Sequence, residues 1–108
     1  MNNITILRGG AIGDFVLTLP AIDAIRKAFA TEELRLIGNP AILALYGNAT
    51  HLNHDDPRLI ALHRDGPIPA TTRALFADCE RALAYAVDPH GQLQRQLAQL
   101  IAGPVLLW

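Results

Sequence analysis

Cysteine, aromatic residues and charge are all scarce in this chain. There is one cysteine, one tryptophan, two tyrosines and three phenylalanines among 108 residues. The lone Cys79 cannot close an internal disulfide and fits a reducing, cytoplasmic setting. No activating base stands near it in sequence, so it reads as a half-buried thiol in a helix rather than a nucleophile. Charged residues make up 18% of the chain and the formal net charge is -1. No basic field suggests nucleic acid, and no Lys/Arg block suggests an anionic membrane surface. No run approaches the ~18 apolar residues of a membrane span, and the amino terminus lacks the pattern of a secretory signal. Two phosphate motifs are also missing. No lysine and hydroxyl pair follows Gly13, as a P-loop needs. The dinucleotide fingerprint Gly-x-Gly-x-x-Gly is only half met by Gly10-Ala11-Ile12-Gly13, with Gly38-Asn39 where a ribose would want an acid.

What the chain does have is a 51% hydrophobic composition, which argues for a packed core over disorder. Residues 1–108 are expected to form a single domain. The apolar run at residues 3–8 reads as a strand buried on both faces. A turn follows at 9–14. Phe15, Leu19, Ile22, Ile25 and Phe29 then make a helical stripe over 15–29. Pro20 lies inside it, giving either a helix kinked there or a short turn followed by a helix.

Further along, 33–37 reads as a second strand ended by Gly38-Asn39-Pro40. Residues 41–46 read as a short helix, 48–57 as a loop and 58–63 as a third strand. Thr71 or Thr72 is expected to cap a helix running to about Glu80. A fourth strand is expected at 83–87, a loop at 88–91, a helix at 92–102 stopped by Gly103-Pro104, and a fifth strand at 105–108. Strands alternating with helices through short links predict an α/β fold, a doubly wound parallel sheet. Ligands in such sheets bind beyond the carboxyl ends of the strands, which singles out the loops at 8–14 and 88–91.

In the first loop, Gly10 and Gly13 allow close backbone approach, and Asp14 sits where a helix begins. Asp14 suits an N-cap as well as a general base. Arg8 suits a strand-end salt bridge as well as an anion contact. His51-x-x-His54-Asp55 lacks a third well-spaced ligand and reads as a solvated loop, so no metal is expected. His90 faces the same edge as Asp14 but also suits a plain turn. Phe15, Phe29 and Trp108 read as core residues.

The stretch Ile6-Leu7-Arg8-Gly9-Gly10-Ala11-Ile12-Gly13-Asp14-Phe15-Val16-Leu17-Thr18-Leu19-Pro20-Ala21-Ile22 resembles the opening of glycosyltransferase family 9, the lipopolysaccharide heptosyltransferases. Ala86-Val87-Asp88-Pro89-His90-Gly91-Gln92-Leu93 resembles a second strand-and-loop segment of that family, with Pro89, His90 and Gln94 departing from its commoner residues. The resemblance implies the Rossmann-like, acceptor-side, N-terminal half of a GT-B enzyme. The C-terminal domain that binds the nucleotide-sugar lies outside the resemblance, so this half alone is expected to be inactive.

The activity implied is inverting, metal-independent transfer of a sugar from a donor such as ADP-heptose to a glycan or glycolipid acceptor, in the cytoplasm and with peripheral inner-membrane contact for the full-length enzyme. Asp14 matches the family's base. Arg8, Gly10, Gly13, Asp88 and His90 fall where acceptor contacts would be, and no cofactor is implied. Two other functional classes stay open: a non-catalytic module that forms a homodimer, and a stand-alone Rossmann-like nucleotide binder.

Overall fold

In the computed structural model, residues 3–8, 12–29, 32–47, 49–85, 88 and 90–107 are described, residues 12–14 by their backbone alone. The elements are β1 (Asn3–Arg8), α1 (Ile12–Ala28), β2 (Glu33–Gly38), α2 (Pro40–Leu43), β3 (Thr50–Asn53), a 3₁₀ helix (Pro57–His63), α3 (Ala70–Leu75), β4 (Cys79–Tyr85), α4 (Gln92–Leu100) and β5 (Val105–Leu107). The five strands form one sheet in the order β3-β2-β1-β4-β5, and every neighbouring pair is parallel. This is the expected α/β, doubly wound, Rossmann-like architecture.

Two apolar layers hold the sheet. Ile6, Phe15, Ile22, Leu34, Leu36 and Leu43 pack on the face covered by α1 and α2. Ile37, Leu59, Leu62, Phe76, Ala82, Ala84, Leu93, Leu97 and Ile101 pack on the face covered by the 3₁₀ helix, α3 and α4. β2 feeds both: Leu34 and Leu36 go to one layer and Ile37 to the other, as period-two alternation requires. Burial of side chains such as Phe76, which has no exposed surface, supplies the main drive; truncating one costs about 3–5 kcal/mol.

A charged group enters the second layer on β2. The Arg35 guanidinium donates from Nε to Thr5 Oγ1 (3.2 Å) and from Nη1 to the Leu75 carbonyl (2.8 Å). It lies 5.0 Å from the centre of the Phe76 ring, and burial pushes its pKa down.

The first helix departs from expectation at its start. It begins at Ile12, not residue 15, and continues through Pro20 as one element. Pro20 removes the N–H that would reach the Val16 carbonyl. Val16 and Pro20 both lie on the exposed side of the helix, away from the core.

Several local expectations are corrected. The loop assigned to 48–57 contains β3, whose residues Thr50 to Asn53 pair with Arg35 to Gly38. β3 is a polar edge strand with only Leu52 half-buried, so it carries no alternation signal; its ladder with β2 decides it. The strand assigned to 58–63 is the 3₁₀ helix. Asp56 Oδ1 accepts from the Arg58 N–H (2.9 Å), Pro57 occupies the first position, and Leu59 and Leu62 are buried three residues apart.

α3 stops at Leu75 instead of reaching Glu80. Its N-cap position is Pro69, which has no side-chain acceptor, so no side chain caps it; Thr71 and Thr72 lie inside the helix, and the Thr72 hydroxyl donates to the Arg58 carbonyl (2.6 Å). Cys79 therefore opens β4 and is not in a helix. β4 ends at Tyr85, and residues 86 and 87 lie outside the described residues, as does Trp108. α2 spans Pro40–Leu43, shorter than residues 41–46.

Candidate functional site

The strand order reverses beside β1. From β1 the chain moves through α1 to β2 and β3 on one side, then returns to place β4 on the other side. α1 leaves β1 toward one face and α4 leaves β4 toward the opposite face, as the two core layers record. The carboxyl ends of β1 and β4 thus border the crevice in which open α/β sheets bind ligands.

Arg8 and Tyr85, the last residues of these strands, are register partners. The Arg8 guanidinium carbon lies 5.2 Å from the centre of the Tyr85 ring, and both residues are half-buried. A cation over an aromatic face contributes about 0.5–2 kcal/mol, the more so when water is excluded. On the other side of β1, Gly38 lies so close that a Cβ there would collide with the Arg8 carbonyl oxygen. A glycine at the end of β2 is what lets β2 pass the Arg8 carbonyl just beyond the last register pair, Leu7 with Ile37.

α1 starts at Ile12, so Gly13 and Asp14 are its second and third residues. Asp14 lies inside the first turn, not ahead of it, and so is not the N-cap. A carboxylate there complements the positive end of the helix dipole. Gly10 lies outside the described residues.

The loop at 88–91 is tied down by its own groups. Asp88 accepts the Leu93 N–H on Oδ1 and the Gln94 N–H on Oδ2, both at 3.1 Å. Gly91 precedes α4 with φ +70°, a left-handed conformation that suits glycine. It has no side chain to cap the helix, and Asp88 does so from three residues upstream. The His90 carbonyl accepts from Arg95 Nη1 (2.7 Å).

Asp65 accepts from Arg95 Nη2 (3.2 Å) and from Gln92 Nε2 (3.3 Å). Those hydrogen bonds, from Arg95 first, hold the Asp65 carboxyl below its usual range, and the charges of Arg95 and His90 add to the effect. The backbone amides of α4 that would meet an anion are therefore already engaged by Asp88.

The sheet edge brings Arg8, Gly13, Asp14, Asp88 and His90 to the same end of the molecule, on three loops or helix starts. Sequence reasoning missed Tyr85 and Gly38. For Tyr85 the available signal was a lone aromatic closing a strand. For Gly38 it was a glycine at the tip of the strand beside β1. The histidine group is dispersed in its bonding: His51 Nε2 meets the Tyr46 carbonyl at 2.7 Å, while His54 Nε2 lies 3.8 Å from Asp55. Among the described residues, no three His, Cys, Asp or Glu side chains are grouped to hold a metal ion, and no helix is long and apolar enough to cross a membrane.

The all-parallel five-stranded sheet with helices on both faces defines a Rossmann-like α/β domain. No family model matches the chain, and no curated protein or solved structure does either.

Proposed function

We propose that this chain is the acceptor-side domain of an inverting glycosyltransferase of the family 9 type. The observation that carries the reading is that, within the segment resembling the family, Arg8 closes β1 and Asp14 lies in the first turn of α1, beside the point where the strand order reverses. In this reading an acceptor hydroxyl attacks the anomeric carbon of a nucleotide-activated sugar. The new C–O bond forms as the bond to the nucleoside diphosphate breaks, and the hydroxyl proton passes to the Asp14 carboxylate. Arg8 contacts the acceptor. Asp88 and His90 shape the second loop, Asp88 chiefly by capping α4. The donor is held by a second domain, outside these residues.

The test is sugar transfer by the complete reading frame, followed by mass spectrometry of the acceptor. Asp14→Asn is expected to collapse kcat while leaving the unfolding midpoint unchanged. Full turnover in that variant would remove Asp14 from the mechanism.

One observation favours a second reading, a self-associating module. β5 is an edge strand and Leu106 on it is 61% exposed, an unguarded edge of the kind that pairs with other chains. Sedimentation showing a micromolar dimer that Leu106→Lys dissolves would support it.

A further inference from the structure

Five strands deliver their last residues to one edge of the sheet: Leu7-Arg8, Ile37-Gly38, Leu52-Asn53, Ala84-Tyr85 and Leu106-Leu107. Among these ten positions Arg8 is the only charged residue and Tyr85 the only aromatic one. The two are register partners, stacked at 5.2 Å, at the point where the strand order reverses. The remaining strand ends are apolar or uncharged.

We infer that Tyr85 is a positioning residue, whose ring holds the Arg8 guanidinium at the mouth of the crevice as the group that reads an oxyanion on the ligand. Stacking uses the flat face of a guanidinium and keeps its N–H groups in the plane, the arrangement that suits two-point contact with a carboxylate or a phosphate ester. It also removes rotamer freedom from a long side chain before any ligand arrives. β1 supports the same placement from its other side, since Gly38 fits against the Arg8 carbonyl only because it lacks a Cβ. Among the ten strand-end positions Arg8 is the only cation, so discrimination there between charged and neutral ligands falls on this pair.

The inference deepens the acceptor-side reading, but its test measures binding and not transfer, so the two fail separately. The 108-residue chain is titrated by calorimetry with glucose 6-phosphate, glucuronate and glucose. Saturable binding of at least one anionic probe, with none of glucose, is expected. The stronger of the two anions tells whether the crevice prefers a phosphate ester or a carboxylate.

Tyr85→Phe, which keeps the ring, retains this affinity. Tyr85→Leu loses about fivefold or more, the size of a partly desolvated cation–π contact. Arg8→Met abolishes the preference for anions. Urea unfolding of each variant reports folding independently, and should Tyr85→Leu be unfolded, Tyr85→Trp replaces it, with binding retained as the expected result. Binding of glucose as tight as that of both anions, no anion binding at all, or full anion affinity in folded Tyr85→Leu would overturn the assignment.

Discussion

Gly38→Ala is the perturbation that most directly probes the β1 end of the crevice. The added methyl would press on the Arg8 carbonyl oxygen and stand 3.3 Å from Leu43 Cδ2. The side chain of Leu43 can give way; the backbone carbonyl can do so only if β1 and β2 part. That movement is opposed on the far side, where the Gly38 carbonyl accepts the His54 N–H at 2.9 Å. Overpacking of this kind costs about 1–3 kcal/mol, and the stiffer unfolded chain returns about 0.4–1 kcal/mol. The net expectation is a loss of about 1–2 kcal/mol, or roughly 4–15 °C in Tm for a domain of this size.

Gly47→Ala is the matched control. A Cβ there meets nothing within 4 Å, and Gly47 is not among the glycines with positive φ. It should gain about 0.4–1 kcal/mol through the unfolded state alone. Urea unfolding with unchanged m-values measures both. A Gly38→Ala variant as stable as the parent, or a Gly47→Ala variant that falls with it, would refute the close-approach argument.

Three further outcomes are expected. Asp88→Ala removes acceptors from the Leu93 and Gln94 amides and should cost about 0.5–2 kcal/mol; no measurable loss in urea unfolding would show that water replaces the cap. Asp56 is held down to about 2 from an ordinary 3.8, first by the side-chain hydrogen bond from Arg58 and then by the Arg58 backbone N–H. Because the folded-state value is the lower one, its contribution is present above about pH 4 and disappears as pH falls toward about 2. Asp56→Asn should therefore flatten acid unfolding in that window, and identical acid titrations of the two proteins would contradict this. Burial pushes the Cys79 thiol up, only partly offset by its bond to Thr5 Oγ1 (3.2 Å). Native protein should therefore resist a disulfide reagent that modifies it once unfolded, and equal rates in both states would show the thiol is not enclosed.

Much of the crevice was legible because its parts are local. A continuous apolar run, a glycine-rich turn and a 3.6-residue stripe specify β1 and α1 within a single stretch of chain. The same locality explains the errors at residues 48–63. β3 is a polar edge strand whose existence depends on the ladder from β2, which lies a dozen residues earlier. The following segment carried the Asp56-Pro57 start signal of a helix, yet its run of Leu59-Ile60-Ala61-Leu62 satisfies a buried strand equally well, since short apolar runs do not separate the two periods. Cys79 was assigned to a helix for a related reason: it pairs with Asn3 of β1, a partner 76 positions away that no local pattern shows.

The amino-acid sequence by itself determined the class of fold and the buried character of β1. Those follow from periodicity, chain length and the handedness of crossovers, all readable over one element and its neighbour. Only the tertiary structure decided which strands are adjacent, and with that the pairing of Arg8 with Tyr85, the pressure of Gly38 on β1, and the diversion of Asp88 to the amides of α4. Strand order is a long-range choice, settled by how two apolar layers close on both faces of one sheet, and no local pattern of residues encodes it.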